Sequence, residues 1–136
     1  MALISSKGMY GLSAMYELSK HEMGTKFTAS EISASTNIPS GYLEQLLGKL
    51  KKAGFVESIR GAGGGYKLAL EPKNIKLYDI ILALEGHIRV VDDCNSDILN
   101  LFFNDIKSDI GDSLALSLQD LGKYQNRYNN TLHYDI

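Results

Sequence analysis

The 136-residue sequence has one cysteine, Cys94, and no stretch of eighteen apolar residues. One cysteine cannot form an internal disulfide, and within a single chain it cannot build a multi-cysteine zinc or iron-sulfur site. A transmembrane helix needs about eighteen or more apolar residues in a row, and the N-terminal segment lacks the apolar core and cleavage site of a signal peptide. The composition therefore predicts a cytoplasmic protein that has no membrane partner.

The sequence also has little net charge, and that charge is unevenly distributed. The formal total is -2 at pH 7, which argues against a protein held to nucleic acid by bulk charge. Residues 1–80 contain ten Lys and Arg against seven Asp and Glu, whereas residues 81–136 contain four against nine. The asymmetry predicts that any anionic ligand binds the N-terminal part.

Recognisable catalytic motifs are lacking as well. No Ser, Cys or His stands in a nucleophile motif, and the histidines, His21, His87 and His133, have no metal-ligand spacing. The adjacent acids Asp92 and Asp93 are better explained by a solvated turn than by a general acid–base pair. The sequence therefore predicts neither an enzyme nor a metal site.

The first half of the sequence does contain a helix–turn–helix pattern. Thr28 and Glu31 predict a capping box before a short helix from Ala29 to about Thr36. The following Asn37-Ile38-Pro39 interrupts that helix, and Ser40 is the expected N-cap of the next one. The second helix has an apolar stripe at i, i+3, i+4 and i+7 spacing, formed by Leu43, Leu46, Leu47 and Leu50.

A glycine-rich hairpin is predicted after the second helix. Strand-like segments from Phe55 to Ile59 and from Tyr66 to Leu70 are joined by Gly61 to Gly65. A dinucleotide-binding interpretation fails, because Tyr66 replaces the last glycine of that motif and a strand follows where a helix is needed. A tip without side chains can instead approach a DNA backbone, with Arg60 at its base entering a minor groove. Helix pair and hairpin together predict a winged helix-turn-helix, hence DNA as a partner.

Side chains near the start of the second helix have the chemistry for reading bases. Reading a base edge requires a helix whose N-terminal side chains enter the major groove. Gln45 can pair with adenine through two hydrogen bonds, Glu44 can accept from the cytosine amino group, and Tyr42 or a lysine can hold phosphates. The alternative is an ordinary solvated face formed by Glu44, Lys49, Lys51 and Lys52.

Further helices are predicted on both sides of this unit. Ser6 is the expected N-cap of a first helix and Gly24 its expected stop, and a helix from Leu77 to Glu85 follows the hairpin. A short capped helix through Leu121 is expected near the C-terminus, and the tail from Tyr124 to Ile136 is expected to be frayed or packed on a partner chain.

A longer helix from Ser96 to about Leu114 is apolar over more than one face. Gly111 lowers its helical propensity near the C-terminal end. A helix that is apolar over so wide an arc must bury one side on its own domain and the other on something else. The arc is formed by Ile98, Leu99, Leu101, Phe102, Phe103, Ile106, Ile110 and Leu114.

Much of the chain closely resembles the Rrf2 family of bacterial winged-helix regulators. The resemblance covers about Leu3 to Gly86 and is carried by the segments SSKGMYGLSAMYEL, IPSGYLEQLLGKLKKAGFVESIRGAGGGYKL and LYDIILALEG. It implies a homodimer, joined chiefly by the long helix, that binds a two-fold symmetric operator and usually represses transcription. It also implies a winged helix-turn-helix domain over residues 1–86, a linker over 87–95, and a dimerisation helix with a C-terminal tail over 96–136.

The same resemblance implies which residues contact DNA and which form the dimer interface. Met9 departs from the pattern, since many relatives have arginine there. The DNA contacts implied by the resemblance are Ser6, Lys7, Tyr42, Glu44, Gln45, Arg60, Gly63, Gly64 and Gly65. Ser40, Lys49 and Lys52 of the second helix are further expected contacts. The residues expected at the dimer interface are Leu99, Phe102, Phe103, Ile106, Ile110 and Leu114.

The cofactor is where this sequence departs most from the family pattern. Cluster-binding members carry three cysteines after the helix that ends here at Gly86, whereas this chain has only Cys94, and one thiolate per chain cannot hold such a cluster. The sequence therefore predicts a cluster-free regulator without a cofactor. Its signal stays open between a partner protein such as a metabolic enzyme, oxidation of Cys94 as a redox sensor, and no ligand at all. A winged-helix module for protein interactions, without direct operator binding, is the alternative from another functional class.

Overall fold

The computed structural model describes residues 2–134 and is mainly helical, with one small hairpin. This secondary-structure content agrees with the predicted fold class. No helix in the described residues is long and apolar enough to cross a membrane. The elements are α1 (Ser6–Ser19), α2 (Ala29–Thr36), α3 (Ser40–Lys52), β1 (Val56–Ile59), β2 (Gly65–Leu68), α4 (Leu77–Glu85), α5 (Asp97–Ser113) and α6 (Gly122–Tyr134), with short 3-10 helices at Pro72–Asn74 and Leu118–Leu121.

The hydrophobic core lies where the first four helices pack against one another. The predicted stripe of α3 forms its centre, and all four of its leucines are buried. Replacing one buried leucine by alanine typically costs about 2–5 kcal/mol. Four such anchors on one side fix the rotation of α3 about its axis, and the polar residues on its other side are thereby held in solvent.

The hairpin is attached to the helices by a backbone bridge. Its strands are antiparallel, with Val56 opposite Leu68. The N–H of Phe27 donates to the carbonyl of Tyr66 over 2.9 Å, and the N–H of Tyr66 donates to the carbonyl of Phe27 over 2.7 Å. The sequence did not predict this bridge, which ties the segment before α2 to the hairpin and so fixes the hairpin beside the helix pair.

The long helix α5 has no buried residue. Its C-terminal end is joined to the start of α4, where the N–H of Tyr78 donates to the carbonyl of Leu114 over 2.9 Å. One apolar stripe is half-buried and consists of Phe103, Ile106, Ile110 and Leu114. A second apolar set stays exposed, namely Ile98 (80%), Leu101 (70%), Phe102 (53%) and Leu99 (48%). Ile98 and Leu101, the most exposed of these, are not in the predicted dimer interface.

Two predicted N-caps are wrong by one residue. The N-cap of α1 is Ser5, whose side chain accepts a backbone hydrogen bond, and the predicted cap Ser6 is the first helical residue. Propensity alone does not distinguish two adjacent serines. At α3 the N-cap is Pro39, because its carbonyl accepts the helical bond from the N–H of Leu43, and Ser40 is the first residue of the helix.

The end of α1 and the C-terminal tail also differ from the prediction. α1 ends at Ser19, and Gly24 lies in the turn that follows, with φ of +92°. The tail is helical as far as Tyr134, in α6, and is not frayed there; its packing on a partner chain stays a prediction. A hydrogen bond from the hydroxyl of Tyr16 to the side-chain oxygen of Gln125, over 3.1 Å, holds this helix on α1. Residues 135–136 of the predicted tail lie outside the described residues.

Candidate DNA interface

The polar side of α3 faces solvent near the hairpin. Tyr42 differs from its neighbours because it is half-buried: its ring packs edge-on against that of Tyr10 in α1, with centroids 5.8 Å apart and planes at 82°. Such a pair contributes about 0.5–1.5 kcal/mol beyond area burial, so Tyr42 has a packing role in addition to the predicted contact. The exposed polar residues on this side include Glu44, Gln45, Lys49 and Lys52.

The N-terminus of α3 has no side-chain cap. The first N–H groups of a helix have no acceptor within the helix and carry partial positive charge. At α2 the predicted capping box satisfies them, and the hydrogen bonds from Thr28 hold the pKa of Glu31 below its ordinary value. At α3 nothing of this kind is present, so the amides that begin at the predicted contact Ser40 are available to an anion such as a phosphate.

The predicted glycine contacts in the hairpin differ in their surroundings. A Cβ on Gly64 would lie 2.2 Å from the carbonyl oxygen of Ile59, and one on Gly65 would lie 2.6 Å from that of Phe27. Gly63 has φ of +77° and only open space around the position of its Cβ. Gly64 and Gly65 are therefore required by the hairpin itself, whereas Gly63 lies at an open tip that a backbone can approach.

Replacing Gly65 by alanine is expected to lower the free energy of unfolding by about 1–3 kcal/mol, the usual cost of a strained backbone position. Its φ of +152° already disfavours a side chain, and the new methyl group would separate the hairpin from Phe27. Denaturant unfolding measures the change. Gly48→Ala in α3 is the matched control: its Cβ would meet open space, and the helix should gain up to about 1 kcal/mol. Equal stability of the two variants would contradict the steric argument.

An open groove of about 420 Å³ separates α3 from the hairpin. The groove is lined by Glu44 of α3, by Ser58 to Gly61 of the hairpin and by Thr28, the N-cap of α2. The predicted contacts Glu44 and Arg60, distant in sequence, thus border the same groove. With α3 and the hairpin both lining this protein groove, the two elements can contact neighbouring parts of the same DNA duplex.

The predicted DNA-contacting cations are not used in ion pairs within the described residues. The five ion pairs found there involve Lys20, His21, Lys67, Lys73 and Lys123. Free exposed cations on one surface are the usual footprint of a site for a polyanion. The predicted cations that have no described carboxylate within 4 Å are Lys7, Lys49, Lys52 and Arg60.

Sequence comparison identifies the family. The model of the Rrf2 family, described as an iron-dependent transcriptional regulator, matches residues 4–124. The chain belongs to the Rrf2 family. Membership confirms the resemblance, and because the family consists of transcriptional regulators it also confirms that the chain is not an enzyme.

Individual relatives and structures agree with this membership. The chain is 47% identical over 89 residues to the transcriptional regulator CymR of Bacillus subtilis, across 65% of this chain and 64% of CymR. It is 42% identical over 85 residues to IscR of Aliivibrio salmonicida, across 62% of this chain and 51% of IscR. The chain thus spans less than two thirds of the length of these curated relatives.

The solved structures are similar over more of the chain. The structure of CymR, described as the global cysteine regulator of B. subtilis, superposes with a TM-score of 0.77 at 39% identity and covers 91% of this chain and 98% of that one. A transcriptional regulator from Listeria innocua has a TM-score of 0.80 at 37% identity, covering 88% and 85%. These similarities confirm the winged-helix fold.

The donor groups of this Rrf2 protein do not fit an iron-sulfur cluster of the cysteine-ligated type. Such clusters are held by several thiolates, and the sequence offers only Cys94. Cys94 is half-buried in the segment before α5, and its thiol donates to the carbonyl of Ser96 over 3.2 Å. Among the side chains that the structure describes, no group of three or more His, Cys, Asp or Glu is placed to hold a metal ion.

Proposed function

We propose that this Rrf2 protein is a cytoplasmic, sequence-specific DNA-binding regulator that represses transcription. The observation that carries the proposal is the surface formed by α3 and the hairpin. There, Gln45 and Glu44 are exposed on the helix, the N-terminus of α3 is uncapped, and the predicted cations have no described carboxylate partner. A helix of this kind enters the major groove, and the hairpin contacts the neighbouring backbone or minor groove.

The functional unit in this proposal is a homodimer joined through α5. This helix has no buried residue, and four large apolar side chains on its N-terminal half are 48–80% exposed. Exposed apolar side chains grouped in this way are typical of a protein interface. A two-fold dimer would present two α3 helices to successive major grooves, about 34 Å apart, on pseudo-palindromic DNA.

The regulator works without an iron-sulfur cluster in this proposal, because a single thiol per chain supplies too few ligands. DNA affinity is then set by other means. A metabolic enzyme that binds the regulator is one source of control, and oxidation of Cys94 is another, since the thiol lies in the segment between the winged domain and α5. A regulator without any ligand is the third.

Binding of the purified, reduced protein to duplexes from its own upstream region tests the proposal. The assay uses a scrambled competitor at two salt concentrations. We expect preference for the genuine sequence to persist at the higher salt while affinity for the scrambled duplex falls steeply, because phosphate contacts release counterions. Lack of preference at both salts would contradict operator binding by the protein alone. It would favour a module for protein interactions.

A further inference from the structure

Glu85, the last residue of α4, is hydrogen-bonded to the start of α1. Its Oε1 atom accepts from the N–H of Ser5 over 3.2 Å and from the N–H of Gly8 over 2.9 Å, and it also accepts from the Ser5 hydroxyl. The segments joined in this way lie at opposite ends of the winged domain in sequence. One carboxylate oxygen therefore connects the end of α4 to the first turn of α1.

The close approach of this carboxylate depends on the absence of a side chain at residue 8. A Cβ built on Gly8 would lie 2.9 Å from Oε1 of Glu85 and 2.7 Å from Cγ2 of Ile4. Either distance is shorter than real Cβ contacts allow. The glycine thus leaves room for Glu85 to reach the backbone, and the contact is part of how α1 and α4 pack.

Electrostatics favour the ionised form of Glu85. Partial burial raises its pKa, but the hydrogen bonds from Ser5 and Gly8 and the charge of Lys7 together lower it further, so that the pKa lies below its ordinary value. A negative charge at a helix N-terminus also interacts favourably with the helix dipole. The contact is therefore present at neutral pH and weakens only when acid protonates the carboxylate.

Internal hydrogen bonds occupy three consecutive amides in the first turn of α1. The N–H of Lys7 donates to the Ser5 hydroxyl over 3.3 Å, that of Gly8 donates to Glu85, and that of Met9 donates to the Ser5 carbonyl over 3.0 Å. The exposed Lys7 side chain has no described carboxylate within 4 Å. Its position on the domain is set by the turn that Glu85 holds.

Glu85 is also adjacent to the linker. Gly86 follows it with φ of +86°, and the chain then continues towards Cys94 and α5. Glu85 thus stands in the chain between the winged domain and the segment that leads to the proposed dimer helix.

We infer that Glu85 is a positioning residue, which holds the first turn of α1 so that Lys7 contacts the DNA backbone. This inference rests on the proposed function, because it assigns a role within the same DNA interface. It concerns no base contact. Glu85 carries a negative charge, which the DNA backbone would repel, so it is not itself a contact.

A double-mutant cycle between Glu85 and Lys7 tests the inference on the full-length protein. Affinity for the operator duplex is measured over a range of salt for wild type, Glu85→Ala, Lys7→Ala and the double variant. We expect either single substitution to lower affinity by the same factor and to reduce the salt exponent by about 0.9 per protomer, the loss of one phosphate contact. The double variant should bind no more weakly than either single one.

Glu85→Gln is the conservative control, because its side-chain oxygen can still accept from Ser5 and Gly8. We expect it to bind the operator with wild-type affinity and salt exponent, even if it unfolds at a lower temperature. A second cycle of Glu85→Ala with Lys52→Ala on α3 should be additive, since the inference does not couple those residues.

The outcomes separate this inference from the function on which it rests. If wild type shows no sequence preference, the proposed function fails and the inference fails with it. If wild type binds its operator but the Glu85 and Lys7 effects are additive, or Glu85→Ala loses stability with an unchanged salt exponent, Glu85 only stabilises the fold. The positioning role is then overturned while the proposed function stands.

Discussion

Replacing Ile98 and Phe102 together by lysine is expected to convert the protein to a monomer and to weaken operator binding by about 10²- to 10⁴-fold. The two residues lie one helical turn apart on α5 and are 80% and 53% exposed. Burying four lysines in a two-fold interface would place like charges close together without counter-charges, which opposes association. A monomer would lose the gain that comes from binding two half-sites at once.

The expected loss of operator affinity would not result from unfolding of the single chain. Substitutions at exposed positions usually change the stability of a single chain by less than about 0.5 kcal/mol, and neither residue belongs to the core. Lysine also adds positive charge, which by itself would strengthen binding to DNA. A loss of affinity therefore cannot be attributed to charge repulsion between the variant and the duplex.

Asn100→Lys with Asn104→Lys is the matched control, with the same added charge and the same spacing. These residues are exposed on a different side of α5. Light scattering should give twice the 15.0 kDa chain mass for wild type and control, and the chain mass for the Ile98 and Phe102 variant. A variant that keeps the wild-type mass would show that this apolar surface serves another partner.

Local patterns in the sequence were sufficient to predict the winged domain. The leucines of α3 repeat with helical spacing, the capping box of α2 lies within four residues, and the hairpin has four glycines within five residues. Each of these signals acts between residues close in the chain. The predicted site could be assembled for the same reason, because α3 and the hairpin are neighbours in sequence as well as in space.

Contacts between distant segments could not be predicted in this way. The bridge between Phe27 and Tyr66 is made by backbone atoms, so the identity of the two side chains does not predict it. In the sequence, Glu85 cannot be distinguished from an ordinary exposed glutamate at the end of a helix. Only the packing of α1 on α4 brings it to Ser5 and Gly8. The exact cap of α1 could not be chosen either, because two serines stand side by side.

The two faces of α5 show a second limit of prediction from sequence. Its periodicity indicates that apolar residues cover a wide arc, but it contains no information on which side meets the rest of the chain. The structure leaves Ile98 and Leu101 exposed and half-buries Phe103 and Ile106. The set predicted for the interface mixes both kinds, because burial within one chain depends on how the linker directs the helix.

Replacing Gln45 by alanine is expected to cost about 1–3 kcal/mol at each half-site of the matched operator, which is about 5- to 150-fold in affinity per half-site. Gln45 is exposed on α3, so its loss should leave the fold unchanged. Leu46 and Leu47 beside it are buried and fix the direction in which it projects. The expected loss is confined to one base-pair position, which a set of operators changed one position at a time will identify.

Lys52→Ala on the same helix is the control, because it distinguishes loss of a base contact from loss of a phosphate contact. Lys52 is exposed near the C-terminal end of α3, away from the end that enters the groove, and its predicted partner is a phosphate. Its loss should weaken matched and scrambled duplexes by the same factor and lower the salt exponent. If Gln45→Ala and Lys52→Ala behave identically on both duplexes, α3 does not divide into residues that read bases and residues that hold the backbone. Sequence preference would then have to come from the hairpin or from the shape of the DNA.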